Sequence, residues 1–240
     1  MSQQQDRGEA RRAKLQAVQA EQERSTARRR NTTVTFAVVG AFLVIVAGVF
    51  AVTKATSGGG EPQNVQLVRS DSHRLQSAPG DKVTLVEFLD FECEACGAAF
   101  PVIEQLRKQY SGKVTFVARY FPIASHFNAE RAARAVEAAA KQGKFEAMYQ
   151  QMYQVQKQWA EKKVPADELF RSFARGLGLD MAAWEKAYND PTTLARVEQD
   201  VADGKALGVE GTPTFFLNGQ KLQPTSTDDI KAAIDAALAG

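Results

Sequence analysis

Cys93 and Cys96 are the only cysteines in this 240-residue chain, and two residues separate them. Thiols at this spacing can form and break a disulfide with each other, so the pair could exchange electrons with the thiols of another protein. A zinc site is one alternative, but zinc needs four ligands and the chain adds only His73 and His126. A purely structural disulfide is another, but so short a loop would gain little stability. Thiol–disulfide exchange is the favoured chemistry.

The sequence on either side of the pair predicts how it is positioned. Residues 83–89 form a nearly continuous apolar run of the kind found in buried strands. From Cys96 to Tyr110, apolar residues recur at helical spacing. Cys93 should therefore lie at the start of a helix, where free N–H groups and the helix dipole stabilise a thiolate.

This region resembles the active site of the thioredoxin superfamily, in particular its DsbA-like branch. Glu87 stands six residues before Cys93, where that family has a buried acid, and Pro101 stands eight residues after it, where the family has a helix-kinking proline. Residues 211–214, Gly-Thr-Pro-Thr, resemble the family's loop whose cis-proline faces the disulfide. The resemblance extends over roughly residues 67–240 and implies an α/β thioredoxin fold with a helical insertion.

The resemblance also implies roles for particular residues. Cys93 and Cys96 would be the catalytic pair, with Cys93 attacking and Cys96 resolving. Glu87 would relay a proton to and from Cys96, although an ion pair with Arg119 in a neighbouring strand is an alternative use of this buried acid. A loop would bind substrate through Gly211, Thr212 and Pro213. The redox-active disulfide itself would serve the reaction, with no cofactor or metal.

Residues 1–64 have a different composition from the remainder. Residues 1–31 are polar and basic, and Arg28, Arg29 and Arg30 directly precede an uncharged apolar run at residues 32–53. That run is long enough to cross a bilayer as a helix, and the preceding arginines place the N-terminus in the cytoplasm. We favour a retained anchor over a cleaved signal peptide, because the run is long and ends without a clear small-residue cleavage site. Residues 54–64 are predicted to be a flexible linker.

Residues 65–240 are expected to form a single domain. Residues 65–68 are interpreted as a short edge strand and residues 113–120 as a second strong strand. Asn128 is expected to cap the first helix of an insertion spanning about residues 128–207. Within it, Phe145, Met148, Tyr149, Met152 and Tyr153 recur at helical spacing, and core packing is a better interpretation of this stripe than a substrate lid. An Asn218-Gly219 hairpin and a final helix complete the chain.

The function predicted from these features is that of a membrane-tethered, extracytoplasmic thiol–disulfide oxidoreductase. As the resemblance suggests for anchored relatives of actinobacterial type, it would form disulfides in exported proteins that contain cysteines. A quinone-linked membrane partner would then reoxidise it. The alternatives are a membrane-tethered reductase and a binding or chaperone module that lost its redox use. No basic face interleaved with aromatic residues indicates nucleic acid as a partner.

The direction of electron flow depends on the residues around Cys93. The helix start favours the thiolate, which makes a disulfide more oxidising, whereas like charge from Glu92 and Glu94 disfavours it. Strongly oxidising DsbA-type motifs have a histidine between the cysteines, and here Glu94 and Ala95 occupy those positions. We therefore expect an intermediate reduction potential of about −130 to −230 mV.

Overall fold

The computed structural model describes residues 65–240, and five strands within that range form one mixed sheet. The strands are β1 (His73–Gln76), β2 (Thr84–Leu89), β3 (Thr115–Tyr120), β4 (Thr214–Leu217) and β5 (Gln220–Lys221). Their order across the sheet is β1-β3-β2-β4-β5. β2 and β3 are parallel, whereas the other three pairs are antiparallel. β2, which leads to Cys93, is therefore paired on both sides.

Seven α-helices lie in the part of the chain that the structure describes. They are α1 (Glu94–Gln109), α2 (Ala129–Ala140), α3 (Phe145–Gln154), α4 (Asp167–Gly176), α5 (Met181–Asn189), α6 (Pro191–Ala206) and α7 (Thr227–Ala239), with short 3-10 turns at Pro79–Asp81 and Gln156–Gln158. The helices from α2 to α6 stand between β3 and β4 in the chain. This arrangement confirms the predicted thioredoxin fold with a helical insertion.

The two faces of the sheet pack against different groups of side chains. Leu85 and Leu89 of β2 belong to the larger apolar cluster, which draws residues from all seven helices. Val86 and Phe88 belong to a smaller cluster on the opposite face, against which Val201 of α6 packs. Because side chains alternate along a strand, Glu87 points to the face of the larger cluster. The predicted stripe of α3 is part of that cluster, so its interpretation as core packing is confirmed.

The prediction of an edge strand at residues 65–68 is wrong. The edge strand of the sheet is β1, beginning at His73. Instead of pairing with a strand, the carbonyl oxygens of Gln66 and Leu67 accept hydrogen bonds from Nη1 of Arg119, at 2.9 and 2.6 Å. Leu67 and Val68 pack against the smaller cluster. The buried guanidinium of Arg119 therefore occupies carbonyl oxygens that would otherwise be available to a neighbouring strand.

Asn128 precedes α2 as predicted, but its side chain does not cap that helix. Its Nδ2 donates to the carbonyl oxygens of Lys162 and Val164, and its Oδ1 accepts from the N–H of Ala166. The side chain thus fastens the loop that precedes α4. The predicted Asn218-Gly219 hairpin is confirmed between β4 and β5, and both turn residues have positive φ.

The predicted N-terminal tail, transmembrane segment and linker, at residues 1–31, 32–53 and 54–64, lie outside the described residues. Within residues 65–240, none of the helices has both the length and the apolar character needed to span a membrane.

Candidate active site

Cys93 is the N-cap residue of α1 and ends a short turn that follows β2 directly. Its N–H donates to the carbonyl oxygen of Asp90 at 3.2 Å, and its own carbonyl oxygen accepts from the N–H of Gly97 at 3.0 Å. Its backbone is extended, with φ −66° and ψ 122°. The first N–H groups of a helix have no partner within the helix, so at this position they are free to stabilise charge on the Cys93 side chain.

The two thiols have opposite environments. Cys93 is partly exposed, whereas Cys96 is 1% exposed, and both are free thiols in this structure. The pKa of Cys93 is lowered to about 5, and the largest cause is a hydrogen bond from Cys96. Burial acts in the opposite direction and raises this pKa, whereas hydrogen bonds from Thr212 and from the N–H groups of Cys96 and Ala95 lower it further. Burial and the neighbouring Cys93 raise the pKa of Cys96 well above its ordinary value. At neutral pH Cys93 is therefore ionised and able to act as a nucleophile, whereas Cys96 remains protonated.

The loop containing Thr212 faces Cys93 across the site. The Thr212–Pro213 peptide bond is cis, as predicted. The Cys93 thiol donates to the carbonyl oxygen of Thr212 at 3.4 Å. The Thr212 hydroxyl is buried without a hydrogen-bond partner, and it favours the Cys93 thiolate, which can accept from it. Thr212 therefore offers an acceptor to the thiol and a donor to the thiolate.

A groove of about 670 Å³ opens beside this loop. All three residues predicted to bind substrate contribute to its lining, Gly211, Thr212 and Pro213, together with Ala98 and Ala99 of α1. The sulfur of Cys93 thus lies next to a surface on which an extended peptide could be held. An exposed backbone segment at such a site can pair with a substrate chain as an added strand.

Glu87 lies beneath the cysteine pair, in the middle of β2. It is 6% exposed, and burial raises its pKa to about 8, with further contributions from Cys93 and Glu104. Its charge in turn helps to raise the pKa of Cys96. A carboxyl group with a pKa near 8 can give and take a proton at physiological pH, as a proton relay to Cys96 requires.

The alternative of an ion pair between Glu87 and Arg119 is wrong. In the parallel register of β2 and β3, Glu87 stands opposite Ala118, whereas Arg119 stands opposite Phe88. Glu87 and Arg119 therefore point to opposite faces of the sheet. Arg119 is fully buried and pairs with Asp200 and Asp203 of α6, at 2.7 and 2.6 Å. The sheet thus separates the buried acid Glu87 from this ion cluster.

The helical insertion holds the turn before α1 through side chains at the end of α3 and in the 3-10 turn that follows. The hydroxyl of Tyr153 donates to the carbonyl oxygen of Asp90 at 3.3 Å. The side-chain amide of Gln156 donates to the carbonyl oxygens of both Phe91 and Cys93, each at 2.8 Å. Every one of these contacts comes from the insertion, so the conformation of the active-site turn depends on it.

Glu92 also joins the turn to the insertion, which differs from the role predicted for it. Its carboxylate is buried and accepts from the N–H groups of Asn128, at 2.5 Å, and Glu161, at 3.1 Å. Burial raises its pKa. Glu92 therefore fixes two segments of the insertion. Of the two acids predicted to disfavour the Cys93 thiolate by like charge, only Glu94 is exposed and without such a structural role.

Asp90 and His126 form a polar pair near Cys93. The buried carboxylate of Asp90 is 2.6 Å from Nδ1 of His126 and accepts from the N–H of Ile123 at 2.9 Å. Burial works against a charged imidazole, but the hydrogen bond with Asp90 and its charge raise the pKa of His126; the charge on Cys93 adds to this. Asp90 and Cys93 therefore both favour the protonated form of His126, which lies outside the C-x-x-C motif.

The predicted site residues Cys93, Cys96, Glu87 and Thr212 thus lie together around one point, with Gly211 and Pro213 in the adjoining groove. Within residues 65–240 there is no group of three or more His, Cys, Asp or Glu side chains that could hold a metal ion. Sequence reasoning missed the structural contributions of Asp90, Tyr153, Gln156 and Asn128. The polar residues that directly follow the apolar run of β2 were the available signal for Asp90, but no comparable pattern marks Gln156.

Comparisons with known proteins agree with this geometry. The family profile described as thioredoxin matches residues 74–236. A thioredoxin-like oxidoreductase from Silicibacter pomeroyi superposes with a TM-score of 0.62 at 26% sequence identity, covering 75% of this chain and 99% of that one. Alpha-DsbA1 from Wolbachia pipientis superposes with a TM-score of 0.65 at 18% identity, over 75% and 96% of the two chains. Oxidised BdbD from Bacillus subtilis gives 0.61 at 21% identity, over 69% and 92%. The latter two likenesses concern the fold alone.

Similar stretches also occur within longer curated proteins. A Na⁺/H⁺ antiporter NhaA 3 from Salinispora tropica is 37% identical over 159 residues, which is 65% of this chain and 23% of the antiporter. An NhaA 1 from a Mycobacterium species is 31% identical over 169 residues, or 67% and 26% of the two chains. The chain thus spans about a quarter of the length of these relatives, and the antiporter name describes those longer proteins.

Proposed function

We propose that this chain, which belongs to the thioredoxin family, is a DsbA-like thiol–disulfide oxidoreductase that forms disulfides in exported proteins. The observation that carries the proposal is the contrast between the two thiols. Cys93 is accessible and has a pKa of about 5, whereas Cys96 is buried and protonated. Stabilising one thiolate stabilises the reduced pair, and a stabilised reduced pair makes the disulfide a better oxidant.

The reaction begins with the pair joined as a disulfide. A substrate thiolate attacks the Cys93 sulfur; a substrate–Cys93 disulfide forms, the Cys93–Cys96 bond breaks, and Cys96 leaves as a thiolate. Glu87, with its pKa of about 8, can supply the proton that neutralises Cys96. A second substrate thiolate attacks the substrate sulfur of the mixed disulfide, and Cys93 leaves as a thiolate. The substrate loses two electrons and the cysteine pair gains them.

The pair must then return to the disulfide. We propose that a membrane protein that delivers electrons to a quinone accepts two electrons from the reduced pair. Two features of the sequence support a location outside the cytoplasm: the arginine cluster at residues 28–30 and the apolar run at residues 32–53 that follows it. Disulfides persist on that side of the membrane, where the products of the reaction would remain stable.

The proposal is tested with the oxidised full chain in detergent and a reduced peptide that contains two cysteines. Mass spectrometry should detect one disulfide formed in the peptide for each enzyme disulfide lost. Cys93→Ser should abolish this transfer. If wild type fails to oxidise the peptide but reduces insulin, the protein is a reductase. If neither substrate reacts faster than with Cys93→Ser, the redox function is wrong and a binding module on this fold becomes the better explanation.

A further inference from the structure

Gln156 makes an unusual set of contacts at the active-site turn. It is buried, and the two hydrogens of its side-chain amide are both used, on the carbonyl oxygens of Phe91 and Cys93. Because carbonyl groups only accept, the amide nitrogen must face them and the amide oxygen must point away. One side chain thus bridges two peptide groups on either side of Glu92, directly before α1.

The oxygen end of the same amide lies against Gly97, in the first turn of α1. A Cβ atom placed on Gly97 would be 2.0 Å from Oε1 of Gln156 and 2.8 Å from its Cδ. The φ angle of Gly97 is not in the left-handed region, so backbone conformation does not demand glycine there. The absence of a side chain at residue 97 instead provides the space in which the Gln156 amide reaches the turn.

Gln156 is itself firmly held within the insertion. Its carbonyl oxygen accepts from the N–H groups of Trp159, at 3.0 Å, and Ala160, at 2.8 Å. Trp159 is buried against Phe170 of α4, with the two rings perpendicular. The amide therefore projects from a rigid support, which a residue needs if it is to fix the geometry of another group.

We propose that Gln156 is a positioning residue for the reactive thiol: it fixes the peptide groups of Phe91 and Cys93 so that the free N–H groups at the start of α1 point at the Cys93 sulfur. The N–H groups of Ala95 and Cys96 are among the groups that favour the Cys93 thiolate. Without Gln156 the turn can rotate, and these donors point at the sulfur for less of the time. The inference deepens the proposed function, but it concerns a property of the thiol that can be measured without any substrate.

The main test variant is Gln156→Met in the reduced full chain. Methionine is nearly isosteric with glutamine but has no N–H donor. The pKa of Cys93, measured from thiolate absorbance at 240 nm against Cys93→Ser, should rise by about 0.5 to 1, because looser donors at the start of α1 should weaken their contact with the thiolate by about the worth of one hydrogen bond. Alkylation by iodoacetamide at pH 5 should slow about threefold. The equilibrium constant for oxidation of glutathione should fall about three- to tenfold.

Gly97→Ala provides a second route to the same change. The new methyl group should displace the flexible end of Gln156 and break its two hydrogen bonds, while alanine remains a good helix former. Gly97→Ala should therefore raise the pKa of Cys93, and so should Gln156→Ala, the truncation that is combined with it because alanine at residue 156 cannot clash with the new methyl group. In the double variant the second change should add almost nothing, because both remove the same interaction. Gln158→Ala is the matched control, since Gln158 is exposed on the same 3-10 turn and its removal should leave the pKa unchanged.

Other groups that titrate near Cys93 are the same in all these variants. They include Glu87 on β2, the acids of the active-site turn and of the start of α1 (Asp90, Glu92 and Glu94), Cys96 on α1 and His126 in the loop after β3. Suppose that Gln156→Met lowers the melting temperature but leaves both the pKa of Cys93 and the glutathione equilibrium unchanged. Gln156 is then only structural, and the inference is overturned. Fully additive effects of Gly97→Ala and Gln156→Ala on the pKa would also overturn it. A wild-type chain that oxidises no peptide would refute the proposed function without altering either thiol measurement.

Discussion

The carbonyl oxygen of Thr212 lies 3.4 Å from the Cys93 sulfur, although 119 residues separate the two in the chain. The fold makes this contact by pairing β2 with β4, so that the turn after β2 and the loop before β4 meet at one edge of the sheet. The reactive thiol and the backbone that could hold a substrate peptide are therefore placed side by side by a single strand pairing.

The two cysteines should behave differently when one of them is removed. In Cys96→Ala, the Cys93 thiolate can still attack a substrate disulfide, and the mixed disulfide should persist because the buried Cys96 thiol, which resolves it in the reverse direction of the exchange, is missing. In Cys93→Ala, no such adduct should form, since Cys96 is inaccessible and its pKa is raised. Non-reducing gels of both variants, followed by mass spectrometry of the bands, make the comparison. Adducts on Cys96 alone would show that the assigned roles are reversed.

Glu87→Gln should change both the pH dependence of folding stability and the rate of thiol–disulfide exchange, and the two effects can be measured separately. In the reduced folded protein the pKa of Glu87 is raised to about 8, so folding favours its protonated form. Ionising Glu87 therefore costs more in the folded than in the unfolded protein, and the folded state loses stability as pH rises from 4.5, the ordinary pKa, toward about 8. Below pH 4.5 Glu87 is protonated in both states and has no such effect. Glu87→Gln should thus stabilise the protein at pH 7, by about 1 to 3 kcal/mol, and the gain should vanish near pH 4. Urea unfolding across pH 4 to 8 measures it.

The same variant should slow thiol–disulfide exchange, because glutamine cannot transfer a proton to or from Cys96. Stopped-flow rates between pH 6 and 9 should lose their dependence on a group titrating near 8. Since the Cys93 thiolate helps to raise the pKa of Glu87, oxidation of the pair should lower that pKa. Equal exchange rates for wild type and Glu87→Gln throughout this range would exclude the proton relay.

Glu92 and Glu94 provide a matched pair of substitutions. Glu92→Gln replaces an acceptor that serves two backbone N–H groups with an amide whose NH₂ group faces one of them. We expect a loss of stability of about 1 to 3 kcal/mol. Glu94→Gln removes an exposed charge within the C-x-x-C motif, so stability should change by less than about 0.5 kcal/mol, while the pKa of Cys93 should fall. Equal stability losses would contradict the different roles assigned to the two residues.

The topology predicted from residues 28–53 can be tested through Cys93 itself. In cells whose wall admits the reagent, a membrane-impermeant maleimide should label Cys93 after mild reduction, because the arginine cluster is predicted to remain in the cytoplasm. Cys93→Ala is the control for specificity, since the chain has no other accessible thiol among its described residues. Labelling that requires lysis of the membrane would place the domain on the cytoplasmic side.

Local patterns were enough to predict most of the fold. The apolar run of β2, the helical spacing of α1 and the Asn218-Gly219 turn are each determined by neighbouring residues, and all three are confirmed. The prediction at residues 65–68 failed because a distant charge, Arg119, takes the carbonyl groups of that segment. No local pattern reports such a contact.

The candidate site was predicted only in part, because local sequence patterns again do not reveal contacts between distant residues. Cys93 and Cys96 are only three positions apart in sequence, and the resemblance to a known family indicated Glu87 and Thr212. The residues that fix the geometry of the turn, such as Gln156, act from the insertion across a long separation in sequence. Likewise, Glu92 looks like a charge beside Cys93 when only the sequence is considered, and burial converts it into a structural acceptor.

The equilibrium reduction potential of the Cys93–Cys96 pair tests the central claim most directly. It can be measured in glutathione buffers at pH 7, with the redox state of the pair in cells determined in parallel by alkylation. A thiolate with a pKa of about 5 beside a buried, protonated partner should make the disulfide a moderate oxidant, at about −130 to −230 mV, and the pair should be mainly oxidised in cells. A potential of about −270 mV or lower, with the pair mainly reduced in cells, would contradict the oxidase and favour a reductase.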